Sequence, residues 1–286
     1  DPYNYPNSLW RQWSIYTTMI DSAWCTAISG GWGQWIGVID DACDAHPDMG
    51  TFYGYDFADG NASVLPDGTG RQTHGTHVAG IAGAKINNGL GVAGVSNDTV
   101  YFAKVEKNGD TSFDNTAITN AINDMATRPK VRVINMSFGG PAINATIEAA
   151  CNYAWSNNKL LVAASGNNAA NLTLYPANYP AVIAVGSVGV IASAVTFSSG
   201  FSNYGIKQEI TAPGGNGDGG AYDIFGLLPI ANGSYGYKAG TSMAAPMVSG
   251  LAALMFDVRP SLTNTQARWV LQHSVFDYGA SGWDMY

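Results

Sequence analysis

Five short runs of apolar, mostly β-branched residues recur along the chain, and most of them are continuous rather than alternating. A continuous run of this length is typical of a strand that is buried on both faces of a sheet. Helical spacing of apolar positions fills several of the stretches between these runs. The predicted strands are 34–39, 99–105, 131–136, 160–164 and 181–185, and the predicted helices are 74–85, 113–125 and 143–154.

The alternation of strands and helices predicts the α/β class, with a doubly wound, mostly parallel sheet and helices on both faces. The alternation of predicted strands and helices ends near the C-terminus. Segments 222–229 and 234–238 flank Asn232-Gly233, which favours a small antiparallel hairpin, and two helices at 241–258 and 262–272 follow. Because the sequence contains no internal repeat and no linker, we expect residues 1–286 to form a single domain.

Composition narrows the class of protein. The 286 residues are 46% hydrophobic and 12% charged, which excludes a disordered chain. The 21 acidic and 13 basic side chains give a net charge of −8, which argues against a nucleic-acid or anionic-membrane partner. No uninterrupted apolar run approaches the roughly 20 residues of a membrane span, so we expect no membrane partner.

Three cysteines allow at most one internal disulfide bond. Cys25 with Cys43 is the most plausible pair. Cys151 lies on an apolar helical stripe with Ile147 and Ala154, so we expect it to be a small core residue.

Four segments place a reactive side chain at the end of a predicted element, where ligands of an open α/β sheet bind. Asp40 ends the first strand, His74 begins a Gly- and Ala-rich helix, Asn167 follows strand 160–164, and Ser242 begins the long C-terminal helix. Taken singly, each has an ordinary explanation as a turn residue, a helix cap or a buried structural side chain. A zinc pair of His74 with His77 lacks the HExxH motif or cysteines that would accompany it.

Together these side chains supply what acyl transfer requires. A serine nucleophile needs a base that takes its proton, a carboxylate that orients the base, and donors for the oxyanion of a tetrahedral intermediate. Ser242, His74, Asp40 and Asn167 can fill these roles. An esterase or lipase would instead show a Gly-x-Ser-x-Gly turn and the order Ser, Asp, His, and neither is present.

The same segments resemble the motifs of the subtilisin-like serine proteases. They read Val-Ile-Asp40, His74-Gly-Thr-His-Val-Ala-Gly, Ala-Ser-Gly-Asn167 and Gly-Thr-Ser242-Met-Ala-Ala-Pro, in the order Asp, His, Ser that is typical of subtilisin. The resemblance covers nearly the whole chain. The opening Asp-Pro-Tyr and the short loop 167–175 look like the thermitase branch of the family.

The resemblance implies a secreted, extracellular endopeptidase that acts on protein and peptide substrates. Ser242 would be the nucleophile, His74 the base and then the acid, and Asp40 the residue that orients His74. The Asn167 side chain and the Ser242 backbone N–H would form the oxyanion hole. The resemblance further implies a monomer that needs its own prodomain to fold. The chain looks like a mature form whose C-terminal end is truncated.

Substrate binding follows from the same resemblance. Family members add the substrate as an extended strand and bind the P1 side chain in a pocket with two walls and a base. Because no segment of that pocket is charged, we expect neutral, apolar P1 residues. Tyr175-Pro176, in the segment that resembles the pocket base, is a candidate cis peptide bond. The implied substrate residues are Ser137, Phe138, Gly139, Gly140, Ala164, Ser165, Gly166 and Leu174.

Structural calcium is the implied cofactor. Thermitase-like enzymes tie the N-terminal segment to the loop after the histidine helix with a calcium ion, which oxygen ligands hold. The matching groups are the side chains of Asp1, Asp48 and Asn88 and the carbonyls of Lys85, Leu90 and Val92. A second, weaker candidate, which could equally be a solvated acidic turn, comprises Asp56, Asp59, Asn61 and Ser63.

Departures from the family pattern leave another reading open. Ala42 stands two residues after Asp40, where the family usually has Gly, so the local turn can differ. A subtilase-fold protein that binds proteins without cleaving them is the runner-up interpretation. The four intact motif residues argue against it.

Overall fold

The computed structural model of the chain describes residues 12–27, 33–191, 194–198 and 200–276. The strands are β1 (Trp35–Asp40), β2 (Tyr53–Asp56), β3 (Thr99–Lys104), β4 (Val131–Met136), β5 (Leu160–Ala164), β6 (Val182–Ile191), β7 (Ala194–Phe197), β8 (Ile210–Pro213), β9 (Ile224–Leu227) and β10 (Tyr235–Lys238). The helices are α1 (Trp13–Thr17), α2 (Ile20–Ala27), α3 (His74–Gly83), α4 (Asn115–Thr127), α5 (Ala145–Ser156), α6 (Thr241–Val258) and α7 (Asn264–His273).

An eight-stranded sheet forms the centre of the molecule. Its spatial order is β2-β3-β1-β4-β5-β6, and both β7 and β8 pair with β6. All pairs are parallel except β6 with β7. Strands β9 and β10 form a separate antiparallel hairpin. The predicted α/β class, with its mostly parallel sheet and C-terminal hairpin, is confirmed.

Helices cover both faces of this sheet. Helices α3 and α6 pack together in one apolar cluster, and α4 and α5 pack together in the other. Helix α6 is long and apolar enough to cross a membrane by length and composition, yet 78% of its apolar window is buried inside the molecule. It is the central core helix, and it carries Ser242 at its N-terminal end.

The expected Cys25–Cys43 disulfide bond is wrong, because all three cysteines are free thiols. Cys43 is fully buried in the turn after β1, where its Sγ lies 3.7 Å from the Asp44 carbonyl, whereas Cys25 is exposed on α2. Burial raises the pKa of the Cys43 thiol far above its ordinary value. Cys151 is fully buried in the cluster of α4 and α5, as predicted.

Candidate active site

The end of β1 and the start of α3 bring Asp40 and His74 together. His74 Nδ1 lies 2.7 Å from Asp40 Oδ1, and the Asp41 N–H donates to the same oxygen at 2.8 Å. The Asp40 side chain is fully buried, whereas the His74 side chain is 32% exposed. The imidazole is therefore anchored from inside and open to solvent on its other side.

The charge of Asp40 controls the protonation of His74. Burial opposes the charged imidazolium, but the negative charge of Asp40, its hydrogen bond and the nearby Asp41 carboxylate together outweigh burial and raise the pKa of His74. An imidazole in this position is a stronger base than in water, and its protonated form is stabilised after it takes a proton.

Ser242 lies in the first turn of α6 and is tied to the segment after β4. Ser242 Oγ donates to the Ser137 carbonyl at 2.9 Å, and Ser137 Oγ donates to the Ser242 carbonyl at 2.8 Å. These reciprocal bonds fix the start of α6 against the sheet edge where β1 presents Asp40. A rotation of the Ser242 side chain is needed to turn Oγ from Ser137 to another acceptor.

The Asn167 amide is oriented by Thr241. Both the backbone N–H and the hydroxyl of Thr241 donate to Asn167 Oδ1 at 2.9 Å, so Thr241 holds the amide by its oxygen and not by its nitrogen. Gly240 precedes them with φ 146°, and a Cβ at that position would lie 3.1 Å from Asn167 Nδ2. Glycine is favoured there by its backbone conformation, and a side chain at that position would press on the Asn167 amide.

A buried polar chain that no sequence motif marks runs beneath Ser242. Ser249 Oγ donates to Asn135 Oδ1 at 2.9 Å, and Asn135 Nδ2 donates to Ser137 Oγ at 2.9 Å. Ser137 then donates to the Ser242 carbonyl. Asn135 and Ser249 are both fully buried. A buried polar residue at the end of β4 was the available signal, since such groups need partners.

Leu174 lies between the two segments expected to form the pocket walls. A Cβ added to Gly139 would be 2.8 Å from Leu174 Cβ, and one added to Gly166 would be 2.7 Å from Leu174 Cδ1. Gly140 exchanges both backbone hydrogen bonds with Tyr175, so its peptide groups are already paired. The Tyr175-Pro176 bond is cis, as the sequence indicated.

Of the remaining predicted pocket residues, Ser165 holds this wall through its backbone carbonyl. Ser165 is fully buried, and its carbonyl accepts from the Leu174 N–H at 3.0 Å and from Asn203 Nδ2 at 3.1 Å. Ala164 ends β5 directly beside it, and Phe138 stacks edge-on against Phe113 with ring centroids 5.1 Å apart. Asn203, which no sequence motif marks, therefore supports the wall.

Three residues of the first predicted calcium site hydrogen-bond to the fully buried Asp48, through N–H groups and not through their predicted ligand oxygens. Its carboxylate accepts from Asn88 Nδ2 at 2.7 Å and from the Val92 N–H at 2.9 Å, and its carbonyl accepts from the Lys85 N–H. Among the described residues no cationic side chain forms an ion pair with Asp48. A buried carboxylate of this kind fits a cation. Asp1 lies outside the described residues.

The second predicted calcium loop fits a calcium ion poorly. Asp56 is fully buried, and its Oδ2 lies 3.2 Å from Lys104 Nζ. Its Oδ1 accepts from the backbone N–H groups of Ala58 and Asp59. Asn61 Oδ1 accepts from the Ser63 N–H. The ammonium group of Lys104 already supplies the positive charge at this loop, so the geometry adds no support to that prediction.

Comparison with known proteins gives a consistent result. The model of the Subtilase family matches residues 31–285. A thermophilic serine proteinase of Bacillus sp. (strain AK1) is 37% identical over 289 residues, which cover 96% of this chain and 67% of that protein. Subtilisin Savinase of Lederbergia lenta is 34% identical, and the match covers 94% of this chain and 93% of that protein.

Two solved structures share the fold. A protease of Pseudoalteromonas arctica PAMC 21717 has a TM-score of 0.80 at 28% identity, covering 94% of this chain and 91% of that one. A cold-adapted subtilisin-like serine proteinase has a TM-score of 0.70 at 29% identity, covering 85% and 82%. With the family match over most of its length, this chain belongs to the subtilase family and is a subtilisin-like serine endopeptidase.

Proposed function

We propose that the chain hydrolyses peptide bonds in extracellular proteins through Ser242, His74 and Asp40. The observation that carries this proposal is the 2.7 Å contact between His74 Nδ1 and Asp40 Oδ1. A carboxylate at Nδ1 favours the tautomer whose proton is on that nitrogen, and Nε2 then carries the lone pair of a general base. The protease relatives support the same reaction.

In the first chemical step, Ser242 Oγ would turn from the Ser137 carbonyl, lose its proton to His74 Nε2 and attack the scissile carbonyl carbon. Asp40 would stabilise the resulting imidazolium. Asn167 Nδ2 and the Ser242 N–H would donate hydrogen bonds to the negatively charged carbonyl oxygen. The dipole of α6, which begins there, would also stabilise this negative charge. His74 would then protonate the leaving amine, and water would hydrolyse the acyl-enzyme with His74 again as the base.

Degradation of denatured casein tests this proposal. Ser242→Ala should lower kcat by roughly 10⁶-fold, while the exposed Ser112→Ala should match the parent. Treatment of the parent with a serine-directed covalent inhibitor should have the same effect as Ser242→Ala. A parent that binds casein without cleaving it would favour the binding-protein alternative, and an active Ser242→Ala variant would contradict the nucleophile assignment.

The pocket supports a preference for neutral, apolar P1 side chains. Its segments 137–140, 164–166 and 173–174 carry no charge, so a P1 arginine would lose hydration without a carboxylate partner. In otherwise identical peptides, Leu should react at least about tenfold faster than Arg. Leu174→Gly should raise the rate on Phe, whereas Leu172→Gly, at an exposed position of the same loop, should not. A faster rate on Arg would overturn the assignment.

We also propose a structural calcium ion at Asp48. The ion would supply the positive charge that this buried carboxylate lacks among the described residues. Its ligands would be Asp48, the Asn88 side-chain oxygen, which requires the amide to turn from its present bond, three loop carbonyls and Asp1. The secreted state, the need for a prodomain and the monomeric state are proposals that rest on the family resemblance.

A further inference from the structure

A second carboxylate beside Asp40 binds the start of the histidine helix. Asp41 is 6% exposed, and its Oδ1 accepts from the N–H groups of Ala42 and Gly75, both at 2.6 Å. Its Oδ2 accepts from the His74 N–H at 3.0 Å. Thr73, the residue at the N-cap position of α3, makes no side-chain cap bond. Asp41 therefore caps α3 from a different element.

The first turn of α3 is in direct contact with the turn that holds Asp41. A Cβ added to Gly75 would lie 2.5 Å from the Ala42 carbonyl oxygen and 2.8 Å from Asp41 Oδ1. Such distances leave no room for a side chain, so the approach depends on glycine at position 75. The backbone of His74 is thereby held at the same strand end that holds its imidazole.

We propose that Asp41 is a positioning residue for the general base. Asp40 holds the imidazole of His74 and Asp41 holds its backbone. The position of the ring is therefore set by both carboxylates. The inference rests on the proposed role of His74. It adds a residue that the motif comparison did not identify as part of the site.

The charge of Asp41 also acts on His74. Burial and the charge of Asp40 raise the pKa of Asp41 to about 6, although His74 and the two helix N–H groups oppose the shift. Asp41 in turn contributes to the raised pKa of His74. The titratable and charged groups around this pair are Asp40 from β1, His74 from α3, Cys43 and Asp44 from the turn after β1, Glu106 beyond β3, and Lys238 from β10.

Two linked protonations should therefore shape the acid limb of kcat/KM. As pH falls, Asp41, whose pKa is raised to about 6, gains a proton, and the loss of its negative charge makes neutral His74 more favourable. Because neutral His74 is the active base, the parent should show an acid limb shallower than a single protonation gives. This measurement needs no variant.

Two variants separate the effect of Asp41 as a cap of α3 from the effect of its negative charge on His74. Asp41→Asn removes the negative charge but keeps one oxygen that can accept from the helix N–H groups. Asp41→Leu removes the charge and every side-chain acceptor. We expect both variants to move the acid limb to lower pH and to give it the slope of one proton. We expect kcat to fall by roughly tenfold or more in Asp41→Leu, and by less in Asp41→Asn, because small misplacements of a catalytic group are costly. The matched control, Asp44→Asn in the same turn, should retain the parent kcat.

The outcomes distinguish this inference from the proposed function. Should both variants keep the parent kcat and acid limb while Ser242→Ala is inactive, Asp41 is not a positioning residue and the triad stands. A loss of kcat that only follows a lower melting temperature, with an unmoved acid limb, shows a purely structural role and also overturns the inference. If Asp41→Leu does not fold, Asp41→Asn and the slope of the parent profile decide. An active Ser242→Ala variant overturns the proposed function itself.

Discussion

Thr241 holds the oxygen of the Asn167 amide in place. Its hydroxyl donates to Asn167 Oδ1 at 2.9 Å and accepts from the Gly166 N–H at 3.2 Å. The amide oxygen is thus occupied by two donors from Thr241. An amide nitrogen fixed before substrate arrives needs no reorganisation when negative charge develops, which is why such donors are effective in catalysis.

Removal of this donor should affect turnover more than binding. We expect Asn167→Ala to lower kcat by ~10² to 10³-fold with KM little changed. Thr241→Val should cause a smaller loss, because the backbone N–H of residue 241 still orients the amide. Asn168→Ala, at the exposed next position, is the control and should behave as the parent. A change in KM alone would show that Asn167 binds substrate instead of the transition state.

The residues that the sequence revealed are those whose chemistry is carried by a short local motif. Asp40, His74, Asn167 and Ser242 each lie in a segment that can be read without knowledge of the fold. Asp41 acts on helix N–H groups 33 and 34 positions away, and Ser249 acts on an asparagine 114 positions away. Such partners are set by strand order, which the local pattern does not contain.

At the level of elements, β4 and α6 are joined by the buried chain from Ser249 to Ser242. Ser249→Ala would leave the buried Asn135 Oδ1 without this donor, which costs about 1 to 3 kcal/mol of unfolding free energy. Denaturant unfolding should detect that loss. Ser156→Ala, at an exposed position of α5, should change the free energy by less than about 0.5 kcal/mol. An unchanged midpoint for Ser249→Ala would show that the chain contributes nothing to stability.

Elements with continuous apolar runs or clear caps were predicted well. The side chains of Asp114 and Asn144 cap α4 and α5, and they fix helix starts within two residues of the expected positions. Strand β2 was not predicted, because two of its four residues are exposed and it lies at the sheet edge, so its apolar pattern is weak. Strands β7 and β8 are only four residues long and depend on pairing with β6, so their own sequences give weak signals.

Across the whole molecule, paired buried carboxyl groups make stability depend on pH. Asp98, before β3, and Asp257, near the end of α6, are both 6% exposed. Burial and the charge of Asp257 raise the pKa of Asp98 to about 7. A raised pKa means that the folded state holds a proton that the unfolded state has released, so stability falls as pH rises from about 4 to about 7. Asp41 acts in the same direction.

Asp98→Asn should reduce this pH dependence. The neutral amide removes the cost of a second buried charge, so its unfolding free energy should fall less than that of the parent between pH 4 and 7, and it should be the more stable protein at pH 8. The difference is about 1.4 kcal/mol for each pKa unit of the shift that is removed. Asp110→Asn, at an exposed position, is the control. Parallel curves for Asp98→Asn and the parent would contradict the assignment.

Calcium at the proposed site would stabilise the whole fold, because its proposed ligands come from segments far apart in the chain. Only a folded chain could bring those oxygens together, so free calcium at 100 times Kd should stabilise it by ~2.7 kcal/mol. Excess chelator should therefore lower the melting temperature of the parent without removing any catalytic group. Asp48→Asn should abolish this response to chelator. Asp59→Asn should preserve it, because Lys104 already supplies the positive charge at the second loop. A melting temperature unchanged by chelator, with no metal found by elemental analysis of the untreated protein, would rule out both sites.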